Sequence, residues 1–106
     1  MSIIEAIGNT PMVEVKRIWS SDETGVRILA KLEGSNPGGS VKDRPAYYML
    51  KEAIDSGELS NGKVILEPTS GNTGVGLAIV AAQRGYKCVF VMTNKAGKEK
   101  VDLLRA

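Results

Sequence analysis

Apolar and polar residues alternate over residues 26–33. Val26, Ile28, Ala30 and Leu32 fall on one side and Arg27, Lys31 and Glu33 on the other. A period of two predicts a strand with one buried face, and Leu29, which breaks the polar side, implies partial cover for the second. The period then changes. Ala46, Met49, Leu50, Ala53 and Ile54 recur at helical spacing and make one apolar stripe. Pro45 can lie only in the first turn of that helix, so the helix starts between residues 40 and 44, and Gly57 is placed to end it. Residues 63–67 read as a short strand stopped by Pro68. Residues 75–84 are apolar on nearly all sides, which predicts a buried helix ended by Gly85. The run Cys88, Val89, Phe90, Val91, Met92 predicts a buried strand over 86–92, and residues 95–105 read as a helix with Val101 and Leu104 on one face. Nearer the N-terminus, residues 7–11 read as a turn, 12–16 as a short strand and 20–25 as a polar loop.

Strand, helix, strand, helix, strand, helix is the order of an α/β fold, a parallel sheet with flanking helices. Right-handed crossovers put the strand-to-helix loops of such a sheet at its carboxyl edge, where ligands bind. The loop before the first long helix and the loop of residues 69–74 are therefore expected to meet there.

Composition narrows the function more than the fold. The chain has 106 residues, enough for one domain, with 42% hydrophobic and 25% charged residues, ordinary for a globular protein. Fourteen basic and twelve acidic residues leave a net charge of +2, too small to argue for a nucleic-acid or membrane partner. The absence of histidine removes histidine triads and the usual zinc sites. Cys88 is the one cysteine and reads as a small buried hydrophobe. The N-terminal residues lack the basic and apolar regions of a signal peptide, no apolar run is long enough to span a bilayer, and the cytoplasm is the expected compartment.

Two loops carry candidate chemistry. Lys42 follows Gly38 and Gly39 and stands at the entry of the first long helix. Ser40 and Asp43 have capping-box spacing. The positive end of a helix disfavours an ammonium, and a lysine of lowered pKa is the usual Schiff-base nucleophile. The same placement also fits a solvated lysine after a turn. In the second loop, Thr69, Ser70, Gly71, Asn72, Thr73 and Gly74 offer hydroxyls, an amide and backbone N–H groups ahead of a helix. Such a helix start binds carboxylate or phosphate, or is simply well capped. The Walker pattern is absent, because Ser40 and Val41 separate Gly39 from Lys42, and the spacing of Gly71, Gly74 and Gly76 is not that of a dinucleotide fingerprint. A Schiff-base lysine and an anion site on one edge together suit an amino acid bound to an aldehyde cofactor.

The run from Asn36 through Pro37, Gly38, Gly39, Ser40, Val41, Lys42 and Asp43 to Arg44 closely resembles a signature loop of the cysteine synthase (O-acetylserine sulfhydrylase) and cystathionine β-synthase family. So does the run from Glu67 and Pro68 through Thr69, Ser70, Gly71, Asn72 and Thr73 to Gly74. Ile7, Gly8, Asn9, Thr10 and Pro11 look like the same family's N-terminal signature.

The resemblance implies the fold type II architecture of tryptophan synthase β-like enzymes and the cofactor pyridoxal 5'-phosphate. It makes Lys42 the catalytic and cofactor-bearing lysine. It gives Asn72 to the cofactor's 3′ oxygen, and Thr69, Ser70, Gly71, Asn72 and Thr73 to the substrate. The implied reaction is β-replacement on an O-activated serine, with sulfide as the favoured acceptor and cystathionine β-synthase chemistry on serine and homocysteine as the alternative. A loop of different sequence in dehydratases and threonine synthases argues against those. A cytoplasmic homodimer that takes a small amino acid and sulfide is the implied setting.

The chain also departs from the family. Members are about three times longer, and the loop that cups the cofactor phosphate lies downstream. The expected organisation is thus one incomplete α/β unit, with residues 1–25 as an N-terminal arm and 26–106 as a small-domain segment, inactive by itself. A non-catalytic α/β interaction fragment that keeps the loops is the competing reading. Residues 93–97, Thr-Asn-Lys-Ala-Gly, replace a stretch where the family usually has a proline and a Met-Ser pair.

Overall fold

The computed structural model describes all 106 residues. Its elements are β1 (Met12–Glu14), a single-turn helix α1 (Ser21–Thr24), β2 (Leu29–Lys31), a 3₁₀ turn (Glu33–Ser35), α2 (Asp43–Asp55), β3 (Val64–Pro68), α3 (Asn72–Arg84), β4 (Lys87–Val91) and α4 (Lys98–Arg105). The class is α/β with a parallel sheet and helices, as expected.

The sheet is smaller than the alternation of elements suggests. β3 and β4 pair in parallel, with Val64 opposite Lys87 and Leu66 opposite Val89. β2 does not join them. It pairs antiparallel with β1, Met12 opposite Lys31 and Glu14 opposite Leu29. The Ser20 hydroxyl caps α1 by accepting from the Glu23 N–H at 3.3 Å, and Gly25 ends the turn with φ 69°. The chain therefore reverses inside the stretch expected to be loop, and brings 29–31 back onto 12–14. The alternation over 26–33 shortens to three paired residues, and Ala30 alone of the four apolar positions is shielded.

The core lies between α2, α3 and the inner face of β3–β4. Ala46, Leu50, Leu59, Leu77, Val80 and Ala81 are buried together, with Ile65, Cys88 and Phe90 packed on them from the sheet. Burial raises the pKa of the Cys88 thiol, in keeping with a packing role. α3 begins at Asn72, three residues before the apolar run, and its Ala82 side is exposed, so it is buried along one face rather than all round.

The opposite face of the sheet, Val64, Leu66, Val89 and Val91, is exposed, although parallel strands are normally covered on both sides. No helix is long and apolar enough to cross a membrane.

α2 and α3 touch at their smallest residues. A Cβ on Gly76 would stand 2.9 Å from Ala46 Cβ, 3.0 Å from the Lys42 carbonyl oxygen and 3.2 Å from Asp43 Cα. Glycine is what lets the two backbones approach this closely. The lysine loop thus reaches α3 through helix packing.

Candidate functional site

Lys42 is the residue immediately before α2, with its backbone already helical (φ −67°, ψ −18°). Ser40 and Asp43 do not form the reciprocal box their spacing suggests. The Ser40 hydroxyl accepts from the Lys42 N–H at 3.1 Å, and Asp43 reaches back past it to the N–H of Gly38. The reason is the turn at Gly39, φ 81°, which folds Gly38 over the helix entry. Asp43 is 1% exposed and its Oδ2 takes that bond, while Oδ1 has no partner. The carboxylate occupies the space that a Cβ on Gly38 would need, with Oδ1 nearest.

The loop is thus braced from within, and Lys42 stays exposed at its end. The Lys42 ammonium forms no hydrogen bond or ion pair, as is also true of Lys87 and Lys95, whereas Lys51 is paired with Asp55, Lys31 donates to the Thr10 carbonyl and Lys63 to the Glu58 carbonyl.

The second loop lies at the carboxyl edge of the parallel sheet. The Thr69 N–H donates to the Val91 carbonyl at 3.0 Å and so extends the β3–β4 pairing by one residue. The Thr69 hydroxyl then accepts from the N–H groups of Gly71, at 3.4 Å, and Gly74, at 3.1 Å. It therefore caps α3 from inside.

The N–H groups of Ser70, Asn72 and Thr73 find no acceptor within the chain. Free N–H groups at a helix start are a donor set for an anion. The Asn72 side-chain Oδ1 accepts from Lys100 Nζ at 3.0 Å, which ties α4 to the start of α3.

Two clefts open beside Ser70. One, of about 340 Å³, is lined by Ser70, Gly97, Glu99, Lys100 and Leu103, and the other, of about 250 Å³, by Pro68, Thr69, Ser70, Val91 and Thr93. The largest cleft, about 400 Å³, runs between α2 and β3 and holds none of the candidate residues.

The lysine loop reaches α3, the helix that the second loop opens, by a route that differs from the expected one. β2 lies in the other sheet, so the lysine loop does not share a sheet edge with residues 69–73. The Lys42 carbonyl abuts Gly76 instead, one helical turn beyond Asn72. Gly76 is a positional residue that sequence reasoning missed, because only a helix packed against it explains its size. The partners of Arg44 were missed as well. Arg44 pairs with Glu33 at 2.8 Å, and Thr10 and Asn36 join the pair. Thr10 is far from the others in sequence, and the sole hint of their association is that Thr10 lies in one of the runs set apart above and Asn36 and Arg44 in another.

The donor set fits an aldehyde cofactor that also carries an anionic amino acid. An unpaired primary amine is what the aldehyde requires, the free N–H groups suit a carboxylate, and a Cβ on Gly71 would meet nothing within 4 Å, so the mouth of the loop is open.

Comparison with known proteins agrees. The family model described as pyridoxal-phosphate dependent enzyme matches residues 3–106. Cysteine synthase 1 of Emericella nidulans is 53% identical over 103 residues, which are 97% of this chain and 27% of that protein. Cystathionine beta-synthase of Rattus norvegicus is 52% identical over 104 residues, 98% of this chain and 18% of that protein. The crystal structure of cysteine synthase from Entamoeba histolytica superposes with a TM-score of 0.91 at 39% identity, over 98% of this chain and 31% of that one. The chain thus spans less than a third of the length of each of these relatives.

Proposed function

The chain belongs to the pyridoxal-phosphate-dependent enzyme family, and on that premise we propose that it supplies the lysine-bearing wall of an enzyme that replaces the β-substituent of an activated serine. The observation that carries this reading is the unpaired Lys42 ammonium, set by α2–α3 packing one turn from a helix start with free N–H donors. Lys42 is the residue that holds the cofactor and then moves the substrate's Cα proton at Nζ. Asn72, whose Oδ1 is taken by Lys100, would donate its Nδ2 to the cofactor's 3′ oxygen. The N–H groups of Ser70, Asn72 and Thr73, the backbone at Gly71, and the hydroxyls of Thr69, Ser70 and Thr73 orient the substrate carboxylate. Pyridoxal phosphate, when bound, supplies the electron sink that acidifies Cα–H and lets the β-substituent leave.

Sulfide is the favoured acceptor, with O-acetylserine as donor, so the favoured product is cysteine. Serine with homocysteine is the second reading, supported by a cystathionine beta-synthase relative as similar as the cysteine synthase one. Residues 1–25 serve as an arm and 26–106 as a small-domain segment of a longer polypeptide, a cytoplasmic homodimer. The exposed apolar face of β3–β4 supports a further layer there, and the 106 residues alone are expected to be inactive.

The test uses the full-length polypeptide. Pyridoxal phosphate is added, borohydride fixes the attachment, and peptides are mapped. Label on Lys42, and cysteine formed faster than cystathionine, is the expected result. Label on Lys31, Lys51 or Lys63 instead refutes the assignment. Label on Lys42 without turnover of either substrate pair favours the interaction fragment.

A further inference from the structure

The carboxylate of Glu33 is saturated. Arg44 meets it with two prongs, Nε on Oε2 at 2.8 Å and Nη2 on Oε1 at 3.0 Å. Thr10 Oγ1 donates to Oε1 at 2.7 Å and Asn36 Nδ2 to Oε2 at 2.8 Å. Arg44 Nη2 also donates to Thr10 Oγ1 at 3.2 Å, and Asn36 Oδ1 accepts the N–H of Gly8 at 2.8 Å. Thr10 and Asn36 are buried, 7% and 3% exposed.

The network joins the N-terminal turn, the 3₁₀ turn and the first turn of α2. Its two charged members bracket the loop that ends at Lys42, Glu33 before it and Arg44 two residues after. The Lys42 side chain makes no hydrogen bond or ion pair with any of them. Its backbone, by contrast, is held on every side: the N–H by Ser40, the carbonyl by Ala46 N–H at 3.1 Å, and the same carbonyl by the close approach of Gly76.

A two-pronged guanidinium–carboxylate pair fixes both distance and plane. It suits a role in which a neighbour's position matters more than its own charge. We infer that Glu33 and Arg44 are positioning residues for Lys42: their pair clasps the loop shut and holds the Lys42 backbone against α3, where its free amine meets the cofactor aldehyde. The inference rests on the pyridoxal-phosphate reading above. A misplacement of about 1 Å costs on the order of a hundredfold in a reaction between positioned groups.

The test uses the full-length polypeptide with Glu33→Gln, which keeps the shape and removes the charge, and with Arg44→Lys, which keeps the charge and removes the fork. Limiting pyridoxal phosphate is added. The amine condenses with the aldehyde with loss of water, borohydride delivers hydride to the C=N bond, and mass spectrometry follows each labelled lysine over time. Lys87 and Lys95, both exposed, serve as internal references. Attachment at Lys42 is expected to slow roughly ten- to a hundredfold in both variants, with the references unchanged. In cofactor-free protein, amide exchange at Gly38 and Ala46 is expected to quicken.

Labelling of Lys42 at the wild-type rate in both variants overturns the inference. So does an equal change at all three lysines, the mark of a purely structural role, and so does unaltered amide exchange. A wild-type protein with no preference for Lys42 overturns the cofactor reading itself, and that failure is visible before any variant is made.

Discussion

The loops of residues 36–42 and 69–73 each lead into a helix of thirteen residues, and they are held in opposite ways. The first is closed by side chains: Asp43 on the Gly38 N–H, Arg44 on Glu33, and Asn36 between Glu33 and Gly8. The second has one internal brace, the Thr69 hydroxyl, and leaves the N–H groups of Ser70, Asn72 and Thr73 unspent. The difference matches the role proposed for each. An amine that must meet an aldehyde needs a fixed backbone under a free tip, whereas a site for an incoming carboxylate needs donors that the protein has not satisfied itself. Polar groups left open at a helix start are tolerated because they face solvent until a ligand arrives.

The contrast breaks most sharply at residues 73 and 69. Thr73→Ala is expected to remove one hydrogen bond to the substrate carboxylate, about 1.5–3 kcal/mol, so substrate affinity falls roughly ten- to a hundredfold while cofactor still attaches to Lys42. Spectral titration with the amino-acid substrate measures it, and unchanged affinity would count against the carboxylate role. Thr69→Ala should add a stability loss of about 1 kcal/mol, since its hydroxyl holds the Gly74 N–H at 3.1 Å in the manner of a cap. A melting curve separates the two threonines.

Gly76→Ala tests the contact through which the loops meet. The added methyl collides with Ala46 Cβ and the Lys42 carbonyl, and overpacking of this kind costs about 1–3 kcal/mol. Denaturant unfolding should show the loss, and the residues 69–73 should keep their binding of free carboxylate if only the lysine side is displaced.

Acid affects the closed loop late. The Arg44 guanidinium, then the Thr10 hydroxyl, holds the Glu33 carboxyl down at about 2, against an ordinary 4.5. A carboxyl with a lowered folded-state pKa contributes stability above its unfolded value and loses it as pH falls through the folded one. The clasp's contribution should therefore be constant above about pH 5 and fade between 4.5 and 2. Glu33→Gln should flatten that part of the stability curve and leave the neutral region without slope.

The smallest effect belongs to α4. Gly97 occupies its N-cap with extended backbone (φ −61°, ψ 140°) and provides no side-chain acceptor. Gly97→Ser should stabilise the helix by a few tenths of a kcal/mol. Ser70 lies across the same cleft, so the variant also asks whether that wall is sensitive to one added hydroxyl.

The sequence by itself determined the long helices and the parallel strands and pointed to two candidate chemistries. The stripe from Ala46 to Ile54 needed only its own spacing to be read as a helix, Pro45 confined the start of α2, and the polar runs at 36–44 and 69–74 showed their donors and their lysine without any fold. These are near-neighbour properties, set by backbone sterics and by side chains a few residues apart.

Tertiary structure decided which of those pieces meet. Alternation over 26–33 specifies a strand and not its partner, so the pairing of β2 with β1 instead of β3 depended on a reversal at Ser20–Gly25 that composition does not encode. Gly76 reads as a weak helix residue until α2 is laid against it. Glu33, Thr10, Asn36 and Arg44 are separated by up to 34 positions along the chain, and a hydrogen-bond network over that span exists only once the fold has brought its members within hydrogen-bonding distance.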